Sequence, residues 1–118
     1  MTHPLWQASY DGDARAVEAL LADERLGLDV NHAENDGTTP LYVASREGHA
    51  EVVSVLLAKQ GVNVNQAAND GATPHDGATP LCIASREGHA EVVSMLLANH
   101  SVAVNKAQNN GGAPLCIA

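Results

Sequence analysis

Apolar and polar positions along this chain fall into blocks that recur, and one block dominates. Between Thr39 and Ala58 it reads TPLYVASREGHAEVVSVLLA, and between Thr79 and Ala98 it returns as TPLCIASREGHAEVVSMLLA, with only Cys82, Ile83 and Met95 replacing Tyr42, Val43 and Val55. Inside each block, Leu41 and Ala44 lie on one face of a short helix. Val52, Val53, Leu56 and Leu57 then form a broader apolar stripe on a second. Thr39-Pro40 predicts a helix start, because Thr caps and Pro at the first helical position has no donor to lose. Gly48 predicts its end, and His49-Ala50-Glu51 opens the next helix. That second helix is expected to stop near Lys59-Gln60-Gly61 with Gly61 as its cap. In the next block Asn99-His100-Ser101 carries no glycine, and Asn99 is expected to take the left-handed conformation. Val62 and Val64 alternate with Asn63 and Asn65 in a short extended stretch.

A period of this length marks one architecture repeated, not one large core. Residues 2–22 are a blurred copy displaced by 36: Pro4, Leu5, Ala8, Ser9, Gly12, Leu20 and Leu21 match Pro40, Leu41, Ala44, Ser45, Gly48, Leu56 and Leu57. Smaller and more polar, this copy reads as a cap. DGATP occurs at 70–74 and again at 76–80. Only the second copy is followed by Leu81, so 70–75 reads as a six-residue lengthening of a loop. The expected organisation is a single domain over 1–118: a capping repeat at 1–35, a repeat at 36–69, a repeat with the insertion at 70–109, and an incomplete repeat at 110–118. The insertion fits accidental duplication, which surface loops tolerate. It also fits one protruding finger with His75 and Asp76 at its tip.

Composition narrows this picture. Hydrophobic residues make up 45% of the chain, while aromatics are 3% and Phe is absent, so the core must be Leu, Val, Ile and Ala in thin, closely packed layers. Net charge is −8, with eight acids against two arginines in residues 1–36. No basic stripe exists to neutralise phosphates, which argues against nucleic acid. An acidic face repels anionic membranes and steers toward a basic partner, or serves solubility alone. No apolar run is long enough to span a membrane, and MTHPLWQ lacks the basic and apolar regions of a secretory signal. Cys82 and Cys116 are 34 residues apart at equivalent positions. Adjacent helical layers lie ~8–10 Å apart. A disulfide needs Cα atoms within ~7 Å, so two free thiols are expected, which favours a reducing, intracellular compartment.

The pattern D-G-x-T-P-L-x-x-A-x-x-x-G-H-x-E-V-V-x-x-L-L, held by Asp36–Leu57 and Asp76–Leu97, loosely by His3–Leu21 and in part by Asn110–Ala118, resembles the ankyrin repeat. The resemblance implies an all-α fold: an ankyrin-type α-solenoid of stacked helix-turn-helix repeats with projecting β-turn or hairpin loops. It implies no catalysis, no cofactor, and a concave groove that binds another protein. The residue after T-P-L, commonly His in that family, is here Trp6, Tyr42, Cys82 and Cys116. The family's hairpin asparagines, known targets of hydroxylation, map to Asn31, Asn65 and Asn105.

Chemistry of the chain's own is thinly supported. His49 and His89 recur with the repeat and read as structural turn residues. No His, Cys and Asp cluster has metal-ligand spacing, Cys82 has no oriented base, and no phosphate loop occurs. Glu51 and Glu91 sit where a helix dipole favours a negative charge. The binding candidates are the finger residues Asn35, Asp36 and Thr38, then Asn69, Asp70 and Ala72, with His75 and Asp76 at the insertion. To these are added the ends of the first helices: Tyr10 and Asp11, Arg46 and Glu47, Arg86 and Glu87. Tyr and Arg are the types that most often carry interface energy, so Tyr10, Arg46 and Arg86 form an expected ladder. The identity of the Arg-Glu pairs in two copies equally fits solvated charges duplicated with the repeat. The C-terminal face, lined by Val92, Val93, Leu96 and Leu97, is an expected site of self-association into a homo-oligomer. The competing view makes the chain a structural fragment of a longer array that associates through its uncapped ends.

Overall fold

The structure, a computed structural model, describes residues 3–35, 37–65 and 79–99. Among the described residues six α-helices fall in pairs: α1 (Pro4–Asp11) with α2 (Ala14–Ala22), α3 (Pro40–Glu47) with α4 (Ala50–Ala58), and α5 (Pro80–Arg86) with α6 (Ala90–Ala98). The odd-numbered helices pack side by side in one layer and the even-numbered in a second, which makes a solenoid of helix pairs. Among the described residues no strand occurs.

The starts of α2, α3 and α5 are capped by side chains. The hydroxyls of Thr39 and Thr79 accept from the amides of Tyr42 and Cys82, and Pro40 and Pro80 follow them at the first helical position. The Asp13 carboxylate accepts from Ala16 N at 3.1 Å to open α2. His3, at the position of those threonines, makes no side-chain cap. Gly48, at φ +76°, closes α3 by donating to Ala44 and Ser45 carbonyls. The ends of α4 and α6 depart from expectation. Lys59 and Asn99 leave the helix in extended conformation, each amide donating to the carbonyl of Leu56 or Leu96. That short bond already satisfies the terminal carbonyl, so no left-handed residue is needed. Gly61 takes its positive φ in the turn beyond α4, and Asn99 does not adopt one.

The core is built from columns of equivalent residues. Leu5, Leu41 and Leu81 form one and Ala8, Ala44 and Ala84 another; Val52, Val53, Leu56, Val92 and Leu96 fill the space toward the second layer. Each fully buried Leu contributes on the order of 2 kcal/mol. Val30 and Val64, in the connectors, close the same core. Between layers the connectors are also joined by polar bonds. The side chain of Asn31 donates to Gly61 O at 2.8 Å and accepts from Asn63 N at 2.7 Å, which spends both ends of one amide across adjacent repeats.

Cys82 is buried and bonded in a disulfide, which overturns the expectation of two free thiols and removes the argument for a reducing compartment that rested on it. A spacing of ~8–10 Å between helix axes is not a distance between Cα atoms, so it does not by itself exclude a bridge. The insertion at 70–75, Asn105 and the incomplete repeat at 110–118 lie outside the described residues.

Candidate functional site

The last turns of α1, α3 and α5 carry Tyr10 and Asp11, Arg46 and Glu47, and Arg86 and Glu87 at equivalent positions of three neighbouring helices. The expected ladder is therefore brought together along one edge of the first layer. Tyr10, Asp11, Glu47, Arg86 and Glu87 are exposed and Arg46 is half-buried. Copied sequence has not produced copied environments. Arg46 Nε lies 3.1 Å from the Glu47 carboxylate, whereas among the described residues Arg86 and Glu87 make no ion pair.

The recurring histidines hold this edge in place. His49 Nε2 is 2.9 Å from the carbonyl oxygen of Tyr10, and His89 Nε2 is 2.9 Å from that of Arg46. Each ring lies against the glycine turn of the preceding repeat. A Cβ placed on Gly12 or Gly48 would fall 2.7 or 2.6 Å from Nδ1 of His49 or His89. Bare glycine is required there for the ring to approach, as well as for the positive φ. Reading His49 and His89 as structural turn residues agrees with these bonds. Among the described residues no group of three His, Cys, Asp or Glu side chains converges to hold a metal.

At the first rung, Trp6 and Tyr10 lie one helical turn apart and stack, with centroids 5.5 Å apart and planes within 10°. Trp6 Nε1 donates to Thr38 Oγ1 at 3.0 Å, which fastens α1 to the finger of the next repeat. This contact corrects one expectation. Thr38 is fully buried, so it belongs to the packing between repeats and not to an exposed contact set. Asn35 is exposed on the finger, which is closed by bonds from Glu34 N to Thr38 O and from Gly37 N to Glu34 O. Asp36, Asn69, Asp70, Ala72, His75 and Asp76 lie outside the described residues. Trp6 thus belongs to the same end of this edge as Tyr10, and its spacing of four from Tyr10 is the signal that the sequence holds.

Below the same helix start, the rings of His3 and His32 stack at 4.0 Å, and His32 Nε2 lies 2.9 Å from Glu34. His3 Nδ1 is buried without a partner. Burial first, then the neighbouring His32, lowers the pKa of His3 from 6.5, against an opposing pull from Glu34 and Asp29. Elsewhere, Arg25 holds the exposed Asp23 carboxyl below the usual range through a side-chain hydrogen bond. A shallow cavity of about 280 Å³ lies on the far side, between Leu20, Leu21, Leu28 and Lys59. No helix among the described residues is long and apolar enough to cross a membrane.

Comparison with known proteins finds two family models and several relatives that match. A family model described as "Ankyrin repeats (3 copies)" matches residues 2–70, and a second, "Ankyrin repeat", matches 76–110. Cortactin-binding protein 2 from Ornithorhynchus anatinus is 39% identical over 66 residues, 56% of this chain and 4% of that protein. The Rattus norvegicus protein of the same name is 36% identical over 70 residues, and BCL-6 corepressor-like protein 1 from Homo sapiens is 45% identical over 49, covering 59% and 41% of this chain. The chain spans 4% and 3% of the lengths of those two relatives.

Proposed function

Because this chain belongs to the ankyrin repeat family, whose repeats are protein-interaction modules, we propose that it binds a partner protein along the edge formed by the ends of α1, α3 and α5. One observation carries the reading. A tyrosine and two arginines, Tyr10, Arg46 and Arg86, residue types that often carry interface energy, occupy one structural position in successive repeats, on helix ends that the next repeat's histidine holds at the first two rungs. A rigid scaffold that presents such residues at a repeated position suits recognition. Asp11, Glu47 and Glu87 alternate with them, so the edge offers both charges to a partner. No group on this edge is arranged for catalysis, and the reading needs no cofactor, nucleic acid or membrane.

The name of cortactin-binding protein 2 gives a protein partner to that relative. A share of 4% is too little to bring cortactin itself to this chain. The test is selection of binders to the full chain from a random peptide display library. Binders are expected to weaken about tenfold, a loss of ~1.4 kcal/mol, on Arg46→Ala or Arg86→Ala and to ignore Arg15→Ala and Glu18→Ala on α2. Binders that follow the α2 substitutions would place recognition on the opposite layer and defeat the reading.

A second reading, self-association through the α6 face, is favoured by Leu97, which is 50% exposed beside the half-buried Val93 and Met95. Light scattering on a sizing column across a concentration series tests it. A dimer lost on Leu97→Glu supports it, and a constant monomeric mass removes it.

A further inference from the structure

We infer that the exposed face of Tyr10 is a receptor for an arginine side chain on an extended basic segment of the partner. This rests on the reading that the α1–α3–α5 edge binds protein, and specifies what its first rung takes.

Tyr10 is 42% exposed, a large aromatic surface in a chain with few aromatics. It is nonetheless supported at the ring by Trp6 and at its backbone by His49. Its ring stacks on Trp6, the Trp6 indole is pinned by its bond to Thr38, and its own carbonyl oxygen is bonded to His49 Nε2. A ring fixed before binding loses little freedom when a partner covers it. One face is taken by Trp6, and among the described residues no arginine or lysine stacks on the ring.

The chemistry around that ring favours a cation. The second and third rungs carry their own guanidinium groups, Arg46 and Arg86, while α1 contains no basic residue and carries Asp11 next to Tyr10. The Gln7 amide donates to the Asp11 carboxylate at 3.1 Å, which orients it on the exposed surface. Residues 1–36 hold eight acids against two arginines, so the field at this end of the edge draws positive charge. A planar guanidinium meets both features at once, stacking on the ring and reaching the adjacent carboxylate. An ammonium offers only the point charge, so arginine is preferred over lysine.

The test uses the full chain and a fluorescent twelve-residue peptide in which arginine alternates with glycine and serine, read by anisotropy. The comparison peptide replaces each arginine with citrulline, which keeps the shape and removes the charge. Tyr10→Ala is expected to weaken binding roughly tenfold, Tyr10→Phe to stay within about twofold, and Asp11→Asn to lose about threefold. The citrulline peptide is expected not to bind. Equal binding of the two peptides, or binding that Tyr10→Ala leaves unchanged, overturns the inference, and so does failure of the arginine peptide to bind. Unchanged thermal unfolding of Tyr10→Ala ensures that the loss belongs to the contact. Library-selected binders that follow Arg46 and Arg86 but ignore Tyr10 would overturn this inference and leave the wider reading standing. Binders that follow none of the three would defeat both.

Discussion

Ser9, Ser45 and Ser85 hold one repeat position and differ in a way that decides their worth. Ser9 and Ser85 each donate to the carbonyl four residues back at 2.8 Å, while Ser45 Oγ is buried without a partner. A buried hydroxyl with no bond costs free energy that a methyl group does not. Ser45→Ala is therefore expected to stabilise the chain by up to about 1 kcal/mol and Ser9→Ala to cost about 1 kcal/mol, read from urea midpoints. His3 gives a pH dependence. Its folded pKa lies below 6.5, so the unfolded chain takes the proton first as pH falls. The stability it contributes is complete above 6.5 and declines from there toward the lowered folded value. The urea midpoint should fall between about pH 7.5 and 5.5, and by less in His3→Gln. Thr38 shows where single-residue reading stops. Its place in a finger pattern pointed outward, but only the fold shows Trp6 arriving from another repeat to bury it.

Helix starts were legible because capping is local. Thr39, Pro40 and Gly48 act within a turn of their own positions, and their structural roles match their sequence signals. Thr39→Ala should cost about 1 kcal/mol for that reason. The ends of α4 and α6 were misread because a glycine or asparagine nearby was taken to be needed, when a short backbone bond closes the helix without it. Contacts between repeats were invisible in the pattern that repeats. Gly48 and Gly88 share a positive φ, yet only Gly48 has a histidine ring against it. Gly88→Ala should cost about 1 kcal/mol from the backbone alone, and Gly48→Ala about 2 kcal/mol or more. The difference should shrink in a His89→Ala background, a double-mutant cycle that isolates the ring contact.

At the scale of the whole molecule, periodicity made the solenoid readable before any contact was known. Columns such as Leu5, Leu41 and Leu81 then follow from stacking one unit on the next. What the period could not show is how the units differ at the proposed binding edge. Tyr10 is stacked on Trp6, Arg46 is tied to Glu47, and Arg86 stands exposed, although two of the three rungs have the same local sequence. Nor did the period show that Cys82 is disulfide-bonded, because the spacing of helix axes is not a distance between Cα atoms. The central claim concerns which layer meets a partner. Amide chemical-shift mapping of the full chain with a library-selected peptide tests it most directly. Changes concentrated at residues 6–11, 46–49 and 86–89, the ends of the first helices and their turns, are the predicted result. Changes concentrated instead along Ala14–Ala22, Ala50–Ala58 and Ala90–Ala98 would put the interface on the second layer and contradict the account.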